Sequence, residues 1–421
     1  MSTSIRRYGH TGQSIHDRLR AAERAVVTMA IRNAWLVPSG ERAGLAAAVE
    51  DASGGRNTVL YSPEGVPGIY VRLDRNNDDI ADLVAELGLT GGAAHEAFVV
   101  DGVTKDAVWI GKYSGNIINV STGAVVVNDS SSSNADYRVA SLPEMDAAYS
   151  VNFDLCLSSC INNGAGFHLA STAEWAYIYL LTHRHGWGTT ATEIPRGSNN
   201  DYGRDTSRTD ELCVYAHTNQ TNSGSKRCLL GTGPVSWTHD NTPYGIWDLN
   251  GNVWEWSSGL RWLDGEIQVL PDNDAALVAA DHGPASSDWR AILAADGSLV
   301  APGSAGTLKV EASNADGSGN IILSDTILNM GDGVVSMSTQ FNSITANVAV
   351  PVFAKRLLLY PLDAPRAPLL PQPGRAAPGP WRPLEQRFRC RGCRSQRQLH
   401  ARRSRQRYRV PPSFCILITA H

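Results

Sequence analysis

GIWDLNGNVWEW (Gly245–Trp256) is the most unusual stretch of the 421-residue chain. Three of the eleven tryptophans, Trp247, Trp254 and Trp256, fall within ten residues. Asp248, Asn250, Asn252 and Glu255 are interleaved with them. Rings in this density supply a large, rigid core. The amides and carboxylates between them either tie a glycine-kinked turn to its neighbours or bind a hard cation.

Upstream, GFHLASTAEWAYI (Gly166–Ile178) opens the clearest helix in the middle of the chain. Ser171 or Thr172 is placed to cap it, Glu174 lies in the positively polarised first turn, and Gly186 ends it. Trp175, Ile178, Tyr179 and Thr182 share its inward face. His183 and His185 near its end read as dipole caps rather than metal ligands. The polar, Gly- and Asn-rich run to Thr232 is long for a loop and reads as binding surface or lid. Beyond the motif, residues 266–350 are short β-like runs broken by Gly, Asn and Asp, expected to form an inserted β subdomain.

At the other end, residues 14–36 read as an amphipathic helix. Ser14 and Asp17 have capping-box spacing, and Ile15, Leu19, Ala22, Val26 and Met29 recur on one face. Such a helix either packs on its own domain or joins an oligomer. Asn57–Leu73 then reads as two strands around a Pro-Glu-Gly turn, with a helix over 78–88 stopped by Gly88. Phe98–Val103 and Ala107–Tyr113 read as strands of the next domain, and 126–136 as a Ser-rich loop.

Net charge is −4, but it is unevenly spread. Residues 364–421 hold 13 Arg, one acid and nine of the 21 prolines, leaving 24 basic and 40 acidic side chains in residues 1–363. An acidic body argues against a nucleic-acid partner, because phosphate contacts need cationic neutralisation. No apolar run reaches ~18 residues, so no membrane span is expected. The first residues lack the apolar core of a secretory signal, so reduced thiols are expected at Cys156, Cys160, Cys213 and Cys228. Cys390 and Cys393 offer two zinc ligands where four are needed.

The two tryptophan-bearing motifs resemble those of the formylglycine-generating-enzyme (sulfatase-modifying-factor) type of C-type-lectin fold. His168 and Ala170 stand where that pattern has Arg and Pro. Gly55–Val71, Phe98–Tyr113, Pro195–Asp205 and Thr232–Ala276 extend the likeness, and over roughly residues 50–290 the chain resembles the variable proteins of diversity-generating retroelements. The resemblance implies an α+β chain in three parts. Residues 1–92 form a helix-plus-β region for oligomerisation or attachment. Residues 93–363 form a C-type-lectin-like domain with its β insertion, and 364–421 are an aberrant Arg/Pro-rich tail outside the fold. It also implies Glu174, Trp175, Trp247, Asn252, Trp254 and Trp256 as scaffold. Asp248 and Glu255, with carbonyls of Gly251 and Val253, match positions that hold calcium in the enzyme family, so the alternatives there are a structural calcium or a hydrogen-bonded turn.

The function implied is display of a rewritable ligand-binding surface, with no catalytic residue, a host-surface or protein ligand, and a virion-associated or, before assembly, cytoplasmic location. Two rivals are a formylglycine-generating-type oxidase and a structural virion protein. The enzyme family uses a late cysteine pair to bind copper, and residues 257–363 contain no cysteine. The family ends in an Arg-Gly-Gly-x-Trp … Gly-Phe-Arg stretch that carries the variable positions. Reading Pro380–Ser413 from the second base of permitted codons recovers that pattern in one register. The expectation is therefore a single-base frameshift between about Tyr360 and Pro380, and defective binding.

Overall fold

The computed structural model describes residues 14–90, 94–185, 197–198, 213–214, 216, 227–313, 321–326, 344–361, 414–416 and 418–420. They form a mixed α+β protein with several sheets. The chain opens with helices α1 (Ile15–Arg32) and α2 (Ser39–Ser53), strands β1 (Asn57–Tyr61) and β2 (Pro67–Asp74), and helix α3 (Asp78–Glu86). Short strands β3 (Val99–Val100) and β4 (Val103–Thr104) precede β5 (Ala107–Gly111), β6 (Asn116–Asn119), β7 (Ala124–Val126) and β8 (Tyr137–Ala140). Helix α4 (Phe153–Ile161), strand β9 (Phe167–Leu169) and helix α5 (Thr172–His185) follow.

After the motif strand β10 (Trp254–Trp256) come β11 (Leu260–Leu263), β12 (Glu266–Val269), β13 (Arg290–Ile292) and β14 (Leu299–Val300). Next are β15 (Lys309–Ala312), β16 (Ile321–Ser324), β17 (Thr345–Ala346) and a short helix, Val352–Arg356. Strands β18 (Phe414–Ile416) and β19 (Ile418–Ala420) close the described chain.

The central sheet has the order β1-β2-β5-β19-β9, every neighbour antiparallel. Strand alternation places Val59, Ile69, Val71, Leu73, Val108 and Ile110 on one face and Leu60, Tyr70 and Trp109 on the other. The first face packs against α1 at one end and against α3 and α5 at the other. The second face packs with α4, β8 and Phe167. Burying both faces gives the sheet its hydrophobic stabilisation, about 25 cal/mol per Å² of apolar surface removed from water.

A boundary at residue 92 does not survive this arrangement. β2 and β5 pair across it from Tyr70↔Gly111 to Asp74↔Ala107. Leu19, Val26 and Ala30 of α1 share one core with Trp237 and Trp247. The N-terminal segment is therefore part of the motif's own domain. The Ser14–Asp17 capping box of α1 is present as expected, but Ile15 is exposed and the acidic Glu23 takes a buried place on the inward face. Helix α2, which sequence reading does not anticipate, has little apolar periodicity and ends on left-handed Gly54.

The expected β insertion is a second sheet, β14-β13-β12-β15-β16-β17, with β11 paired to β12. It begins six residues earlier than expected, at Leu260, because β11 and β12 form a hairpin around Asp264–Gly265. Its apolar side chains, including Ile267, Val269, Ile292 and Val310, join the core beneath α5. The chain stays anchored past this sheet: Ala354, Leu357 and Leu359 are buried in that core. Arg356 Nε donates to Glu96 Oε2 at 3.1 Å, and its Nη2 to the Ala94 carbonyl at 2.7 Å.

The expected tail outside the fold is corrected at its far end. β18 runs parallel to β10, pairing Trp254↔Phe414 through Trp256↔Ile416. β19 lies between β5 and β9. Both segments are rich in the apolar and β-branched residues that favour strands. Residues 362–413, which carry most of the Arg/Pro excess and Cys390 and Cys393, lie outside the described residues.

Candidate functional site

The two motifs meet at the end of the central sheet. Ser171 and Ser258 form an isolated parallel bridge. The Thr172 N–H donates to the Ser258 carbonyl at 2.9 Å, and the Ser258 hydroxyl donates to the Leu169 carbonyl at 2.9 Å. Ser171 is the cap of α5: its hydroxyl accepts from Glu174 N–H at 3.2 Å, while Glu174 Oε2 accepts from Ser171 N–H at 2.8 Å. That reciprocal capping box satisfies two otherwise orphaned donors.

The other oxygen of Glu174 faces His168 Nε2 at 2.8 Å and accepts from Asn273 Nδ2 at 3.0 Å. His168 Nδ1 faces the Gly166 carbonyl at 3.1 Å. Both ring nitrogens thus face oxygen atoms. His168 therefore pairs with Glu174 at the start of α5. Trp175 packs partly buried against the core. The side chains of His183 and His185 lie outside what is described.

Around GIWDLNGNVWEW, Trp247, Asp248, Asn252, Glu255 and Trp256 each meet a partner within the protein. Trp247 is buried, stacks on Tyr113 with centroids 6.5 Å apart, and lies 5.2 Å beneath the Arg20 guanidinium of α1. Arg20 also donates to the Gly231 carbonyl. The Gly231 N–H in turn donates to Asp248 Oδ2 at 2.8 Å. Burial pushes the Asp248 carboxyl up to about 6, against the Gly231 hydrogen bond and the Arg20 charge, which both favour the ion. Gly231 has φ +64, and a Cβ there would lie 2.2 Å from the Tyr113 ring, so only glycine fits.

Asn252 is held at φ +54, a left-handed conformation Asn tolerates. Its Oδ1 accepts from Cys228 N–H at 2.9 Å and its Nδ2 donates to the Cys228 carbonyl at 3.3 Å. The side chain therefore imitates one residue of a neighbouring strand. Trp256 donates from Nε1 to the Val151 carbonyl at 3.0 Å and packs edge-on against Phe153. Trp254 lies in β10; its side chain is outside what is described.

Asp248 and Glu255 do not share a ligand shell. Asp248 accepts from Gly231, whereas Glu255 Oε1 accepts from the Ser114 hydroxyl at 2.8 Å. Calcium needs six to eight converging oxygens, and among the described residues no group of three or more His, Cys, Asp or Glu side chains is placed to hold a metal ion. Asp248 and Glu255 are thus each engaged by a hydrogen bond within the protein.

Beneath the motif lies a charged cluster that sequence reading missed. Lys112, fully buried, donates from Nζ to Glu23 Oε1 at 2.6 Å and to Asn57 Oδ1 at 3.0 Å. The Tyr113 hydroxyl donates to Glu23 Oε2 at 3.0 Å. Burial lowers the Lys112 ammonium from its ordinary value, and Glu23 opposes that shift. The Lys112 carbonyl accepts from Trp247 N–H at 2.9 Å, tying the cluster to the motif. The available signal was an acid four residues after Leu19, on the helix's apolar face.

The expectation of reduced body cysteines is also corrected: Cys213 and Cys228 form a disulfide, because the chain brings both into the same buried corner beside Asn252. Cys156 and Cys160 are buried thiols one turn apart on α4, as their spacing indicates. Most of the polar run 187–226, read as binding surface or lid, lies outside the described residues. No described helix is long and apolar enough to cross a membrane. Compared with protein-family models and with curated proteins, the chain matches none.

Proposed function

We propose that the chain is a ligand-binding display protein of the diversity-generating-retroelement type, built on a C-type-lectin-like scaffold and impaired by an out-of-frame C-terminal region. The observation that carries this reading is how the peculiar residues of the motif are used. Trp247, Asp248, Asn252, Glu255 and Trp256 each take a protein partner that fixes backbone or core, as does Glu174 in the upstream motif. A binding surface assembled on such a platform can change residue by residue without disturbing what supports it. Tyr, Trp, Asn and Ser suit that surface because they combine contact area with adaptable hydrogen bonding at low entropy cost.

The anchoring of Arg356 to Glu96 and the burial of Leu359 support in-frame sequence at least to that point. The proposed shift lies beyond it, between about Tyr360 and Pro380; the pairing of β18 and β19, which lie in the shifted sequence, counts against it. Attachment to a virion, and oligomer formation through the outward side of α1, belong to the same proposal.

The test is to restore the frame by one base between those codons and compare labelled restored and unrestored proteins for retention on a panel of intact bacterial cells. Retention confined to the restored protein is expected. A homologous gene encoding the same Arg-rich tail in frame would overturn the shift. A locus without a reverse-transcriptase gene and paired repeats would overturn the display reading.

A further inference from the structure

Cys213 and Cys228 sit at a junction that ties a hairpin base to the tryptophan motif. On one side, Leu229 N–H donates to the Val214 carbonyl at 2.7 Å and Ala216 N–H to the Arg227 carbonyl at 2.9 Å. On the other, Asn252 holds both backbone groups of Cys228. Neighbouring residues are fixed as firmly: Arg227 forks onto Asp146 with both bonds at 3.1 Å and lies 3.7 Å over Tyr149. Leu230 exchanges backbone hydrogen bonds with Met145 and Glu144, and Gly231 engages Asp248. Cys213 is joined to this anchored segment by the disulfide, and the N–H of its neighbour Val214 donates to the Thr232 hydroxyl at 3.0 Å.

We propose that the Cys213–Cys228 disulfide is a redox lock that fixes the hairpin base to the motif, and that the protein reaches its working form by oxidation outside a reducing compartment. The proposal concerns maturation and holds whichever ligand the protein binds. In the locking step, the Cys213 thiolate attacks a small-molecule disulfide such as glutathione disulfide, forming a mixed disulfide and releasing one thiol. The Cys228 thiolate then displaces the second thiol. Two protein thiols are oxidised, one disulfide is reduced to two thiols, and the two protons leave with them. Both sulfurs are buried, 4% and 0% exposed as residues, so once closed the bond is shielded from reductant until the corner opens. Cys156 and Cys160 are an internal control: they are buried in α4, and burial raises the Cys160 thiol far above its ordinary range.

The full chain is incubated with glutathione disulfide or with a phosphine reductant, then digested with trypsin without reduction. Oxidation is expected to link peptide Thr209–Lys226 to Cys228–Arg261. Amide exchange at Cys228 and Gly231 is expected to be at least about tenfold faster in the reduced protein, with the amides of β2 and β5 unchanged. The double variant Cys213→Ser, Cys228→Ser should match the reduced protein and ignore redox state. If that variant does not fold, the two redox states of the native sequence decide. Asn252→Ala in oxidised protein should keep the link but speed exchange at Cys228. Absence of the linked peptide, a link from Cys213 to a tail cysteine instead, or equal exchange in the two redox states would overturn the proposal.

Discussion

The sharpest test of the architecture is to remove the charge that α1 inserts beneath the motif. In Glu23→Leu, Lys112 keeps Asn57 as a partner but loses its counter-ion at 2.6 Å, and the Tyr113 hydroxyl loses its acceptor at 3.0 Å. Breaking a buried ion pair from one side costs about 3–5 kcal/mol, because an uncompensated charge is left in a low-dielectric interior. Lys112→Met, which strands Glu23 instead, should cost a similar amount. Replacing both at once removes the stranded charge, so the double variant should be more stable than either single one. Urea unfolding followed by tryptophan fluorescence reads these differences. With a slope of about 3 kcal/mol per molar, a loss of ~4 kcal/mol moves the midpoint by roughly 1.3 M. Single variants within about 0.5 kcal/mol of the parent, or additive losses in the double variant, would mean that α1 does not insert its charge there.

Other consequences can be measured in the same way. Asp248 titrates near 6 in the fold against 3.8 in the open chain, so the folded state holds the proton more tightly and its stability falls as pH rises from about 4 to 6. The difference is on the order of 3 kcal/mol; Asp248→Asn should flatten that part of the pH–stability curve, and an unchanged slope would refute the burial of this carboxyl. Gly231→Ala places a Cβ against Tyr113 at a positive φ and should cost roughly 2–4 kcal/mol, read as a lower thermal midpoint. His168→Leu leaves Glu174 with only Asn273 and Ser171 among these donors, an expected loss of about 1–3 kcal/mol by urea titration. A stop codon after Ser413 removes β18 and β19; the melting midpoint should fall by several degrees, at about 2–4 °C per kcal/mol, and an unaltered melt would show that these residues contribute nothing to the sheet.

What could be read from the sequence was local. The Ser14–Asp17 capping box and the Ser171–Glu174 cap are fixed by spacings of three residues and appear as expected. Strands β1 and β2 announce themselves through β-branched residues around a Pro-Glu-Gly turn. What was not legible depends on distant partners. Glu23 meets Lys112 across 89 positions, and helical periodicity alone treats an acid as solvent-facing. Cys213 finds Cys228 only because the fold crowds them beside Asn252. The division at residue 92 failed for the same reason: a composition change marks where a pattern alters, while the register of β2 on β5 ignores it. At the motif itself, unusual composition located the platform, but the partner of each polar side chain was hidden until the fold supplied it.

The position of β19 has a consequence for biogenesis. It lies between β5 and β9, yet the ribosome makes it roughly 250 residues after one neighbour and 310 after the other. Until it arrives, each of those strands has an unoccupied hydrogen-bonding border, and such borders recruit foreign chains. Pairings this remote are slow to form, because the chain must be brought together before any contact rewards it. The nascent protein should therefore pass through a long-lived, aggregation-prone stage late in synthesis, and holdase chaperones should raise its soluble yield more than its final stability.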